Sequence, residues 1–167
     1  SFGLSEYPAE DFALVLWNHG CGPLEGVCLD ELFGMDRLSL NDLSQALEDG
    51  LDGQKLRFIG FDACLMGSLE VACAVAPYAE YMIASQETEP GCGWFYTNFI
   101  NELGSSTDMT TGAIGKRIAD EFLVGCAELP YDDYFTLGIF DLQSVKSDLI
   151  PAVNNMAEEK RDLIEKP

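Results

Sequence analysis

A chain of 167 residues with 47% hydrophobic and 11% aromatic content is long enough for one domain with a sizeable core, and too apolar for disorder. Its 29 acidic against 9 basic residues give a net charge of −20, which disfavours nucleic acid and anionic membranes as partners and suits a basic ligand or plain solubility. No apolar run approaches the roughly 20 residues of a membrane helix, and the opening "SFGLSEYPAEDF" is too acidic for a signal peptide.

Residues 12–17 form a short, nearly continuous apolar run, closed by Gly20, Gly22 and Pro23. That is the pattern of a strand covered on both faces. It runs into Asn18 and then His19, the single histidine of the chain. A loop rich in glycine and acid follows, through Asp36. Ser39 and Asp42 then make a capping-box-like helix start, Leu40, Leu43 and Leu47 mark its apolar face, and Gly50 can end it. "KLRFIGFDAC" reads as a second strand, "LMGSLEVACAVAPYAE" as a helix and "YMIASQ" as a third strand. "ETEPGCGW" is a loop. Helices are expected over 96–103 and 110–126, a fourth strand at "YFTLGIFDL", and a closing helix over 144–164 with a charged end. There is no repeat and no linker, so residues 1–167 are read as a single domain.

Strands separated by helices make βα units, and right-handed crossovers make the sheet parallel with helices on both faces. Functional groups in such sheets gather at the carboxyl ends of the strands. His19 ends the first strand and Cys64 the second, so imidazole and thiol reach the same edge if the strands are neighbours. Cys64 also reads as the start of a helix, where the macrodipole favours a thiolate. His19 would serve as general base and acid, and the N–H groups of Gly20 and Cys64 could hold an oxyanion. Taken singly, a histidine at a strand end is also an ordinary hydrogen-bonded residue, and a buried thiol an inert one. The six cysteines (21, 28, 64, 73, 92 and 126) include no CxxC pair. His19, Cys21 and Cys28 lack an evident fourth ligand for zinc, so no metal site is assigned.

"ALVLWNHGCG", "IGFDACLMGSLEVA" and "YMIASQETEPGCGW" together resemble the clostripain family of cysteine peptidases, relatives of caspases, legumains, gingipains and separase. The likeness is close over residues 11–103 and holds in outline beyond. It implies a caspase-like three-layer α/β sandwich with a mostly parallel sheet. It also implies a His19–Cys64 dyad without a third catalytic carboxylate, and endopeptidase activity after arginine or lysine through a thioester acyl-enzyme. Some relatives need calcium, but no EF-hand-like spacing is present here. By the same likeness the protein is expected in the secreted fraction or cell envelope of a bacterium, as a zymogen cut between the histidine and cysteine blocks. Arg37 is the only basic residue of that loop and so the candidate processing site, with an ordinary surface arginine as the alternative.

The basic preference has its own physical support. Asp62 lies two residues before Cys64, on the same side of an alternating strand, where a carboxylate could pair with a guanidinium. A helix-capping role is its alternative. Ser85 and Glu87, after the third strand, are assigned to substrate binding, and Glu89 could add charge or be solvated. Basic-specific relatives often carry an aspartate after the "GW" of this loop, whereas Phe95 stands here. Relatives also have a strand–helix–strand unit ahead of the histidine strand, so an N-terminal chain or segment is expected to complete the sheet. Two other readings remain: a silent caspase-like interaction module, and another Cys-dependent amidase or transpeptidase.

Overall fold

The computed structural model describes residues 2–106, 108–130 and 134–161. A short helix α1 (Phe2–Glu6) precedes β1 (Ala13–Trp17). Next come α2 (Gly22–Glu25), β2 (Val27–Asp30), β3 (Asp36–Leu38) and α3 (Leu40–Leu51). Then follow β4 (Leu56–Asp62), α4 (Leu69–Val75), β5 (Ala79–Ala84), α5 (Tyr96–Ser105), α6 (Thr111–Cys126) and β6 (Gly138–Asp141). The described chain closes with α7 (Leu142–Ser144), a π-helical turn at Val145–Leu149, and α8 (Ile150–Glu159). Residues 162–164, the charged end of the expected closing helix, lie outside the described residues.

The main sheet has the order β1-β4-β5-β6. β1 lies parallel to β4 in a register that runs from Ala13↔Phe58 to Trp17↔Asp62, and β4 lies parallel to β5. β6 runs antiparallel to β5, with Ile139 opposite Ile83, where a parallel strand was expected. The cause is the pair of helices between them. Asn98 bonds Glu121 and Arg117 pairs with Glu102, so α5 and α6 form an antiparallel hairpin. One crossover helix returns the chain to the end where the previous strand began, whereas two leave it at the end where that strand finished.

Both faces of the sheet are covered. Ile59, Phe61, Met82 and Ala84 face Leu43, Leu47, Val71 and Val75 of α3 and α4, together with Leu142. Phe58 and Ile83 face the opposite way, onto Phe99, Ile114, Ile118 and Phe122 of α5 and α6, with Trp94 in the same cluster. This alternation puts Gly60 and Asp62 on the α5–α6 side. The chain belongs architecturally to the mixed, mostly parallel three-layer sandwiches.

The capping box at Ser39 is present in both directions: Asp42 N–H donates to Ser39 Oγ at 3.2 Å, and Ser39 N–H to Asp42 Oδ2 at 3.1 Å. The helix runs through Gly50 and is turned instead by Asp52 (φ 49°) and Gly53 (φ 77°). The segment read as a plain loop contains the small antiparallel β2–β3 hairpin.

Candidate active site

The β1–β4 register sends the chain off the sheet at one edge twice, once into His19–Gly20 and once into Ala63–Cys64. The two turns touch. A Cβ on Gly20 would sit 2.1 Å from the Cys64 carbonyl oxygen, 3.0 Å from its nitrogen and 3.0 Å from Ala63 Cβ. Only glycine fits behind the histidine, because the backbone of the cysteine turn occupies that space. Gly20 also forms an antiparallel bridge with Val27. Its hydrogen bonds come from the neighbours, Cys28 N–H to His19 C=O and Cys21 N–H to Gly26 C=O, both at 2.9 Å. In such a pair the residue's own N–H points away from the ladder.

Cys64 is not at a helix start, as its sequence context suggested. α4 begins at Leu69, with Ser68 as its N-cap accepting from Val71 N–H at 3.3 Å. Asp62 therefore caps nothing. Cys64 sits in a tight turn in which Leu65 adopts the left-handed φ of 64°. The turn is tied to the strand beside it: Leu65 N–H donates to Glu87 C=O at 3.0 Å, and Gly67 N–H to Ser85 C=O at 2.6 Å. The loop after β5 then crosses the thiol, and Glu89 N–H donates to Cys64 Sγ at 3.2 Å. A backbone amide, rather than a helix N-terminus, thus stands at the Cys64 sulfur.

A cavity of about 650 Å³ opens beside the thiol, with His19, Cys64, Trp17, Asp62 and Glu89 in its wall. Asp62 is 3% exposed and accepts from Trp94 N–H at 3.0 Å and from Tyr96 O–H at 2.7 Å. Gly93, at φ 64°, leaves room for it, since a Cβ there would lie 2.8 Å from one carboxylate oxygen. Glu89 Oε2 accepts from the Trp94 indole N–H at 3.0 Å, while Oε1 is buried without a partner. Burial and the neighbouring Asp62 push the Glu89 carboxyl up to about 9. Burial and the bond to Asp62 also raise the Tyr96 hydroxyl above its ordinary range. The Trp94 ring rests on the sheet at Gly60, where a Cβ would meet Cη2 at 2.9 Å and Cζ3 at 3.1 Å. Glu89 thus stands beside Asp62 at the Trp94 wall of the cavity, which Asp30 and Glu31 also line. Phe95, in the position where relatives carry an aspartate, packs instead against Gly125 of α6.

The other expected residues fall elsewhere. Ser85 is fully buried, its hydroxyl bonded to Glu87 C=O (2.9 Å), Glu87 N–H (3.0 Å) and Thr136 Oγ1 (3.0 Å). Glu87 is exposed; its backbone holds the cysteine turn, and its side chain is not in the cavity wall. Arg37 is exposed in β3 and ion-paired with Glu25. Sequence reasoning did not single out Glu31, whose Oε1 lies 3.4 Å from His19 Nε2, both side chains being mostly exposed. Among the described residues all six cysteines are free. Among the described residues no group of three His, Cys, Asp or Glu is placed to hold a metal ion. No described helix is long and apolar enough to cross a membrane.

A model of the clostripain family matches residues 1–166. Clostripain of Hathewaya histolytica is 30% identical over 132 residues, 65% of this chain and 24% of that protein. A secreted C11 cysteine protease from Bacteroides thetaiotaomicron, solved with an irreversible peptide inhibitor, superposes with a TM-score of 0.71 at 25% identity over 85% of this chain and 42% of that one. An inactive zymogen C11 protease from Parabacteroides distasonis superposes with a TM-score of 0.62 at 27% identity over 87% and 38% of the two chains. The chain spans about a quarter of the first relative (24%) and about two fifths of the solved ones (42% and 38%).

Proposed function

Because the chain belongs to the clostripain family of cysteine peptidases, we propose that it carries the catalytic dyad of an endopeptidase, with Cys64 as nucleophile and His19 as acid and base. The observation that carries the reading is the seating of Gly20 on the Cys64 backbone, which fixes the histidine turn and the cysteine turn to each other. In the first half-reaction Cys64 Sγ bonds to the substrate carbonyl carbon as the thiol proton passes to His19. The N–H groups of Gly20 and Cys64 receive the oxyanion. The C–N bond then breaks, His19 protonates the departing amine, and a thioester remains. Water, deprotonated by His19, attacks that thioester, and collapse releases the acid and the Cys64 thiol.

Asp62 and Glu89 line the cavity beside the thiol and support a preference for arginine or lysine at the cleaved position. Ser85 and Glu87 contribute to this reading through backbone and turn geometry. Arg37 is the proposed processing site, in a hairpin whose Glu31 lies against His19. Secretion or a cell-envelope location accords with the secreted protease among the structural relatives.

A panel of fluorogenic amides with Arg, Lys, Asp and Ala at the cleaved position tests the reading. Arg or Lys substrates are expected to turn over, and Cys64→Ala to abolish turnover. Asp62→Asn should cost Arg substrates about one to three orders of magnitude and Ala substrates far less, since a charge-assisted pair is lost in a confined site. Equal losses on both would make Asp62 a structural residue. No turnover of any amide would favour a silent interaction module.

A further inference from the structure

We propose that a cationic side chain entering the cavity displaces the proton held between Asp62 and Glu89, which makes Glu89 a specificity-determining residue whose charge appears only when a basic substrate arrives. The inference rests on the basic-pocket reading above and adds a proton to it.

The geometry leads there in three steps. Asp62 is buried and its Oδ2 takes two donors, Trp94 N–H and Tyr96 O–H. Glu89 is held within hydrogen-bonding reach of Asp62 by the same Trp94, through the indole N–H on Oε2. Two carboxylates in one site cannot both ionise without a counter-ion. Glu89 Oε1 is meanwhile buried and takes no N–H or O–H donor, while the residue itself lines the open cavity. An orphaned oxygen beside a buried carboxylate suits a proton in the empty pocket and a guanidinium or ammonium in the filled one. The raised Glu89 carboxyl, at about 9, agrees with the empty state.

The balance is one proton out for one cation in. In the empty pocket the pair carries one negative charge and one proton. A bound cation favours two negative charges, so the Glu89 proton leaves to solvent. Binding should therefore tighten as pH rises toward 9 and level off above it. The other titratable groups facing Glu89 are Asp62 on β4, Tyr96 on α5, Cys126 on α6, Cys92 in its own loop, and Cys64 and His19 with Asp30 and Glu31 across the cavity. Tyr96 lies above its ordinary range and Cys126 is pushed up to about 11, so both stay neutral below pH 9.

The test is calorimetric titration of N-acetylarginine methylamide into the full-length protein, with Cys64→Ala and Cys92→Ser removing the thiols at those two positions. Titrations at pH 7.5 in buffers of differing ionisation enthalpy read proton release directly. Close to one proton per bound ligand is expected, with affinity rising about tenfold per pH unit from about 7 to 8.5. Glu89→Gln should bind with no proton released and a flat pH dependence. Binding without proton release in the unsubstituted pocket would overturn the proposal while leaving the basic pocket standing. Release that persists in Glu89→Gln would also overturn it, by assigning the proton to another group. No binding of the arginine probe at any pH would sink the basic-pocket reading instead.

Discussion

A Cβ at position 20 would stand 2.1 Å from the Cys64 carbonyl oxygen, a backbone atom rather than the end of a flexible side chain. Gly20→Ala must therefore separate the histidine turn from the cysteine turn. The expected cost is about 1–3 kcal/mol of stability, of the kind that overpacking brings. The loss of turnover should be larger, about a hundredfold, because dyad chemistry tolerates little misplacement. Thermal melting and turnover of an Arg substrate on the same preparation check this, and a variant that keeps both would show that the contact is dispensable. Residues at strand ends were legible at this scale. His19, Cys64 and Asp62 could be placed at one edge from two apolar runs and the period of a strand. Glu89 could not be separated from Glu87 in the same way. Both are polar residues of one loop, and what buries the first is an indole five residues later that folds back over it. Ser85 follows the last residue of β5, and its hydroxyl turns inward to the loop it stabilises.

The β2–β3 hairpin is the element with most to say about activation. It carries Glu31 against the imidazole, presents Leu32 and Phe33 to solvent, and holds Arg37 in an exposed three-residue strand. Cleavage after Arg37 would free one end of it. Purified full-length protein should develop a new N-terminus at Leu38 as its activity rises, while Arg37→Ala stays uncut and weakly active. N-terminal sequencing alongside an activity time course decides it, and full activity of the intact chain would remove the hairpin from the account. This element escaped sequence reasoning because its strands are only four and three residues long, with charges in both and no two-residue turn signature between them. The longer elements were readable from apolar spacing, as at Leu40, Leu43 and Leu47 or Ile114, Ile118 and Phe122. The antiparallel sense of β6 was not. It depends on counting two helices before the strand, not on any residue within it. The start of α4 lies later than expected because apolar Leu65 and Met66 continue the helical spacing of Leu69, whereas the boundary is the side-chain cap at Ser68.

For the molecule as a whole, the sheet has an open side. Among the described residues β1 pairs with β4 alone, and the Trp17 side chain at its end is 69% exposed. An unpaired strand that carries the histidine at its tip is a poor mount for chemistry that needs close placement. This 167-residue chain on its own is expected to be weakly active, and an N-terminal segment that adds a strand beside β1 is expected to restore turnover when supplied or co-expressed. Assaying the two preparations side by side, with their oligomeric state measured, tests it. Full activity of a monodisperse monomer of the short chain would show that β1 needs no second neighbour. The seat of Trp94 on Gly60 bears on how such a molecule can change over evolutionary time. That indole holds Glu89 through its ring and Asp62 through its backbone, and it can lie where it does only because the strand beneath it is bare. On the basic-pocket proposal, a single exchange at 62 or 89 would alter preference and remove one partner of Trp94, while the bare strand beneath the ring stays. A side chain at 60 would expel the ring and unseat both carboxyls together, which makes that glycine a gate through which new specificities cannot easily pass.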